Sequence, residues 1–159
     1  MLSGTVHEIA LALPHPAFPE ADWGDTFEMR TNRHFDDAEH AARTIMNSLP
    51  AWASGLMDMR DRVVSPLGLK TGKAMMAAPD VECVGFFPVI AKSPDRILLG
   101  EDDRHLNFRV AVDLHADDQG QQVSLSTLVK RNNALGAGYL AVIIPFHKLI
   151  ARAMLRSIR

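Results

Sequence analysis

The sequence predicts an α+β fold in which a curved antiparallel sheet grips a long C-terminal helix, with two short helices after the first strand. Three observations lead to this prediction. Apolar and polar residues alternate over much of 84–131, as in strands with one buried face. Apolar residues recur at helical spacing in 36–65, and a longer helical pattern begins at Ala134. A helix laid on a curved sheet buries both apolar faces and often leaves a cavity between them.

The composition is that of one globular domain. The chain has 159 residues, 47% of them hydrophobic and 23% charged, which argues against disorder. We therefore take residues 1–159 as a single domain. The formal net charge of −2 removes the electrostatic basis for general nucleic-acid binding. The single cysteine, Cys83, excludes an internal disulfide and a zinc site built from several thiolates.

The sequence favours a cytoplasmic protein that does not insert into a membrane. The apolar run Ile9–Leu13 is short and follows no basic residue, unlike the apolar core of a secretory signal. The longest apolar stretch, Ala134–Phe146, is about half the length of a membrane-spanning helix.

The N-terminal part is predicted to be extended. Three prolines between residues 14 and 19 favour an extended arm over 1–24. Asp25–Thr31 then alternates, with Phe27 and Met29 on one face, as expected for a half-buried strand.

Two consecutive amphipathic helices are predicted next. Asp36 with Glu39 three residues later resembles a capping box that opens the first helix. Pro50 suits the first turn of the second helix. The apolar stripe of the first is Ala38, Ala41, Ala42, Ile45, Met46 and Leu49, and that of the second is Trp52, Leu56, Met59 and Val63.

Four strands follow an irregular connection, Leu69–Cys83. They are predicted at Val84–Lys92, Arg96–Glu101, Leu106–Leu114 and Gln122–Arg131. The last two are joined by the turn-prone sequence Asp117–Gly120, which favours a hairpin. In the third of these strands Phe108 and Val110 are expected to face the core, and Arg109 the outside.

One long helix, Ala134–Ile158, is predicted to close the chain. Its basic residues Lys148, Arg152 and Arg156 fall within about a quarter-turn of each other. The opposite face is expected to lie on the sheet, with His147 on its flank and Pro145 towards solvent. That inward face comprises Tyr139, Ile143, Phe146, Ile150 and Met154.

Three segments resemble the DUF2867 family. They are AWASGLMDMRDRVVSPLGLKT (51–71), LGEDDRHLNFRVAV (99–112) and TLVKRNNALGAGYLAVIIPFHKLIARAMLR (127–156). That family is in turn similar to the SRPBCC superfamily of helix-grip, START-like and Bet v 1-like domains. The resemblance implies the fold predicted above and a cavity for hydrophobic small molecules under the long helix. It implies no cofactor and carries over no catalytic residue.

We predict that the protein binds a hydrophobic or amphipathic small molecule between the sheet and the last helix. Strand parity adds Arg104 and Asp102 to the inward side of the sheet, together with Thr127, which suits a ligand with an acidic head. The predicted ligand-binding residues are Phe86, Asp102, Arg104, Phe108, Val110, Leu125, Thr127, Tyr139, Ile143, Phe146 and His147.

Two other functions stay open. A cyclase- or hydrolase-like enzyme would use His147 as acid or base with an inward carboxylate such as Asp102. An accessory domain would instead bind a separate dehydrogenase-like protein, and a homodimer is a further protein–protein arrangement. No metal site is predicted, because the acidic and histidine clusters at 34–40 and 101–105 match no established ligand spacing.

Overall fold

A seven-stranded antiparallel sheet packs against a long C-terminal helix in the computed structural model, which describes residues 4–67, 81–85 and 87–159. The predicted α+β class with a curved sheet and long last helix is confirmed. The strands are β1 (His7–Ile9), β2 (Trp23–Thr31), β3 (Cys83–Val84), β4 (Phe87–Lys92), β5 (Arg96–Asp102), β6 (Leu106–Asp117) and β7 (Gly120–Arg131). The helices are α1 (Ala38–Asn47), α2 (Ala51–Val64) and α3 (Ala134–Arg156), with a short 3₁₀ turn at Ser65–Leu67.

The strand order is β1-β2-β7-β6-β5-β4-β3, so an early strand lies beside the last one. Part of the predicted N-terminal arm is strand β1, which pairs with β2. The single strand predicted over Val84–Lys92 is instead two strands that pair at Val84 and Phe87. Gly85 has a φ of +60°, a left-handed conformation that suits glycine in so tight a reversal.

Helix α1 lies on the sheet through small side chains. Its N-cap is Asp37, whose carboxylate accepts a hydrogen bond from the His40 N–H at 2.7 Å, so the predicted cap at Asp36 was wrong by one residue. The helix residues fully buried against the core are Ala38, Ala41, Ala42 and Ile45. Alanines at this interface let the helix backbone approach the sheet closely.

Helix α2 turns its expected apolar stripe towards solvent. Trp52 is 46% exposed and Met59 55% exposed, whereas Ala53 is fully buried. Because Ala53 is the buried residue, the neighbouring stripe is rotated by about 100° away from the core. The other two members of the stripe, Leu56 and Val63, lie outside the described side chains.

Helix α3 begins at Asn133, whose side-chain oxygen accepts a hydrogen bond from the Gly136 N–H at 2.9 Å. One face lies on the sheet and buries Leu140, Ala151, Met154 and Leu155. The other face is apolar but exposed: its large side chains are Leu135, Val142, Phe146 and Leu149. By length and composition alone the helix satisfies the requirements for a membrane span, a test that core helices also pass.

The N-terminal segment after β1 covers the outer face of the sheet. Phe18 and Ala21 pack there on Leu128 in a small cluster of their own. The guanidinium carbon of Arg109 lies 4.6 Å from the centroid of the Phe18 ring, and its Nη1 donates to Asp102 at 2.8 Å. Arg109 is therefore on the outer face, as its parity predicts.

Candidate functional site

The inner face of the sheet is covered by α3 over β2 and β7 and by α1 over β5 and β6. It is built from rows of residues that the strand register places side by side. One row runs across the strands through Asp25, Thr127, Val110 and Leu99. The adjacent row contains Trp23, Val129, Phe108 and Glu101 in the same strands. The four predicted strand residues Phe108, Val110, Leu125 and Thr127 all lie on this face.

The polar centre of this face is a pair that joins helix α3 to strand β2. Nε2 of His147 lies 3.1 Å from Oδ1 of Asp25. The Asp25 side chain is only 4% exposed and that of His147 24% exposed. The ring of Trp23 contacts the imidazole edge-on, with centroids 6.0 Å apart. His147 thus lies beside an aromatic ring and a buried carboxylate, under the helix as its phase predicts.

The carboxylate of Asp25 is satisfied on one side only. Its Oδ2 atom is buried and accepts no hydrogen bond from any residue that the structure describes. Thr127 is the cross-strand neighbour of Asp25 and lies half-buried in the same row. A buried carboxylate oxygen without a donor costs free energy, on the order of 1–3 kcal/mol or more. Oδ2 of Asp25 is therefore an unsatisfied acceptor on the inner face of the sheet.

Sequence reasoning placed the wrong carboxylate in this site. Asp102 is exposed and pairs with Arg109 on the outer face, and Arg104 is exposed in the β5–β6 turn. Parity was carried from β6 across this turn, but residues 103–105 are not strand, so the alternation is interrupted there. The residue of β5 that faces inward beside Phe108 is Glu101.

The residues predicted on the last helix divide into two groups. Tyr139 is half-buried against the cluster of Leu106, Val129 and Leu140, and Ile143 is also half-buried. Phe146 is 44% exposed, and its predicted inward orientation was wrong. The helix contacts the sheet through His147 and Ala151, one turn apart, and Phe146 lies about 100° from that line. Phe86 lies outside the described residues.

Two basic residues of the last helix pair with a carboxylate other than Asp25. Lys148 and Arg152 both donate to Glu8 of strand β1. The hydrogen bond from Lys148, followed by the charges of both cations, holds the pKa of Glu8 below its usual value. The guanidinium of Arg152 lies 5.1 Å from the centroid of the buried Phe27 ring. These two cations connect β1 to α3, because both are already ion-paired with Glu8.

A concave region lies on the outer face of the sheet, away from Asp25 and His147. It is an open depression of about 150 Å³ lined in part by Ala17, Lys92 and Arg96. Both cations are already paired, Lys92 with Glu39 and Arg96 with Asp113. Within the described part of the chain, no three histidine, cysteine or acidic side chains come together as a metal-ligand set.

Asp25 and Trp23 are the functional candidates that sequence reasoning missed. The signal was present in β2, where residues 23, 25, 27 and 29 share one face and the last two are apolar core residues. A charged side chain at an inward position of such a strand is unusual, because burying a charge is costly without a partner. The partner came from α3, 122 residues later.

Comparisons with known proteins identify the family of this chain. The family described as "Protein of unknown function (DUF2867)" matches residues 17–154. No curated protein matches the sequence. A crystal structure of a protein from Rhodobacter sphaeroides is similar at 11% identity, with a TM-score of 0.36 over 94% of this chain and 95% of that one.

Proposed function

Because the chain belongs to the DUF2867 family, whose description assigns no activity, we propose a function from the site alone: the protein binds an amphipathic small molecule between the sheet and α3. The apolar part of the molecule packs on the inner face of the sheet, and its polar group binds at Asp25 and His147.

The observation that carries this proposal is the buried Oδ2 atom of Asp25, which has no donor among the described residues. A carboxylate at this position does not stabilise the packing of an apolar core, because burying a charged group costs free energy. Binding sites characteristically combine an apolar lining with a few placed polar groups. Here the apolar lining is aromatic as well as aliphatic, with Trp23, Phe108 and Tyr139 half-buried around the Leu106–Val129–Leu140 cluster.

Native mass spectrometry of gently purified protein, followed by organic extraction, tests the proposal. We expect a reproducible extra mass that leaves on denaturation and that is reduced in Asp25→Leu. The matched control is Asp22→Asn, since Asp22 is exposed and pairs with Arg131 outside the site.

A second measurement is needed if the protein is purified without a ligand. The neutral apolar dye N-phenyl-1-naphthylamine is expected to bind with enhanced fluorescence in the wild type and in Asp22→Asn. A clean protein mass together with no dye binding would contradict the proposal.

A second candidate function is acid/base catalysis in the same site. The carboxylate–imidazole contact of 3.1 Å between Asp25 and His147 is the arrangement in which an acid orients a histidine for proton transfer. This pair replaces the predicted combination of His147 with Asp102. His147→Gln is then expected to abolish turnover of a substrate identified by extraction while retaining its binding. Equal turnover in the variant would exclude this function.

A separate experiment tests the alternative that this chain is an accessory domain of another protein. Binding to a separate dehydrogenase-like protein predicts co-purification with that protein and no dependence of this complex on Asp25. Cytoplasmic localisation and the absence of membrane insertion stay predictions of the sequence.

A further inference from the structure

The charge of the residues beneath α3 bears on the chemistry of the ligand. The strands place three carboxylates on the inner face, at Glu8, Asp25 and Glu101. Glu8 is paired with Lys148 and Arg152, and both of its oxygens accept from them. Those two cations are therefore committed to the β1 end of the site and do not serve Asp25.

Three other basic residues of these strands and turns are also directed elsewhere. Arg104 is exposed in the β5–β6 turn, and Arg109 lies on the outer face with Asp102. Arg131, at the end of β7, donates to Asp22 at 2.8 Å. Of the basic side chains described, His147 is the one that contacts the Asp25 carboxylate. An acidic head group, as the sequence predicted, would face a buried carboxylate that has no arginine or lysine beside it among the described side chains.

Resting on the proposed function, we infer that the polar group of the ligand is a cationic nitrogen, such as an amine, which donates to Oδ2 of Asp25. An ionised carboxylate accepts hydrogen bonds and donates none, so the ligand atom at Oδ2 must be a donor. An ammonium group supplies both a donor and the opposite charge, and such charge-assisted bonds are roughly twice as strong as neutral ones. The ring of Trp23, which contacts His147, suits a cation as well, since aromatic faces attract positive charge.

Three probes with the same ten-carbon tail distinguish the ligand classes: decylamine, 1-decanol and decanoate, each below its micelle concentration at pH 7. The protein is the Trp52→Phe variant, which leaves Trp23 beside His147 as the single tryptophan reporter. Trp52 lies on α2 and is 46% exposed. Calorimetry provides an independent affinity for each probe.

We expect decylamine to bind at least tenfold more tightly than 1-decanol, and decanoate to bind weakest. In Asp25→Asn the advantage of the amine over the alcohol is expected to fall to threefold or less, while Asp22→Asn keeps the wild-type order. Should Asp25→Asn fail to fold, the order measured in the Trp52→Phe protein decides alone.

The outcomes separate this inference from the proposed function. If the alcohol or the acid binds as well as the amine, the inferred charge is wrong and a small-molecule site remains. If the amine keeps its advantage in folded Asp25→Asn, Asp25 is not the anchor. If none of the three probes binds, both the inference and the proposed function fail.

Discussion

The Nε2 atom of His147 lies 3.1 Å from Oδ1 of Asp25, and this contact joins helix α3 to strand β2 across 122 residues of sequence. The carboxylate is almost completely buried, so the imidazole is the donor that makes its burial tolerable. The contact therefore has a structural consequence that is independent of any ligand.

Replacing His147 by alanine is expected to lower the free energy of unfolding by about 1–3 kcal/mol, because a buried acceptor loses its donor. Replacing both His147 and Asp25 by leucine should cost less than the sum of the two single changes. Urea denaturation followed by circular dichroism measures each value. Phe146→Ala, an exposed neighbour on the same helix, is the control, and an equal loss there would contradict the role of the pair.

Gly136 and Gly138 of α3 form a second matched comparison. A Cβ atom at Gly136 would lie 1.9 Å from the carbonyl oxygen of His105, whereas one at Gly138 would meet nothing within 4 Å. Gly136→Ala should therefore destabilise the protein by about 1–3 kcal/mol, as overpacking does. Gly138→Ala should stabilise it by about 0.5–1 kcal/mol, since alanine favours the helix. Thermal unfolding of both variants checks this, and a change of the same sign in both would refute the close contact.

Phe18→Ala is expected to destabilise the protein by about 3 kcal/mol, because it empties the centre of the outer cluster. Phe18 is 8% exposed and carries Arg109 over its ring, so the variant also loosens the arm from the sheet. Limited proteolysis should cut the arm faster in this variant than in the wild type. Leu13→Ala, at an exposed position of the same arm, should leave both measurements near the wild-type values.

Stability should fall at acid pH as Asp117 becomes protonated. The hydrogen bond from Arg30, with Nη1 and Oδ1 2.9 Å apart, lowers the pKa of Asp117 from 3.8 to about 2. A lowered pKa means that the folded state releases the proton more readily than the unfolded state, so this stabilisation is complete above pH 3.8 and disappears as pH falls towards about 2.

The check is the pH dependence of the urea midpoint between pH 2 and 6. Asp117→Asn should flatten the curve below pH 3.8, while Asp118→Asn at the next position of the turn should follow the wild type. The hydrogen bonds that lower the pKa values of Glu8 and Glu39 persist in all three proteins, so the difference between the curves isolates Asp117. Superimposed curves for Asp117→Asn and the wild type would rule this out.

Local patterns in the sequence were sufficient for most of the fold. The alternation in 106–114 and 122–131 predicted β6 and β7, because a sheet with one buried face leaves a period of two in the chain. The turn at Asp117–Gly120 also formed as predicted. Helix phase predicted that His147 lies beside the sheet. Each of these features depends on residues that are close in sequence.

The features that the sequence did not reveal depend on distant pairings. Nothing near His147 in the chain indicates Asp25 as its partner, because the strand order that brings β2 under α3 is a property of the whole sheet. The same holds for Phe146 and Trp52, where an apolar pattern did not disclose which of two apolar faces would meet the core. Parity across the β5–β6 turn failed for a third reason, since the turn resets the alternation at Asp102.

The strand order also governs when the molecule can fold as it is being synthesised. Strand β2 pairs with β1 and β7, and β7 ends only at Arg131. Until the ribosome has added β7 and α3, Phe27 and Met29 lack the neighbouring strand on that side and the helix that contacts β2. The nascent chain must therefore carry an open apolar strand until β7 has been added, a state that favours aggregation and chaperone binding. The emergence of α3 from the exit tunnel, after β7, is the event that completes the core.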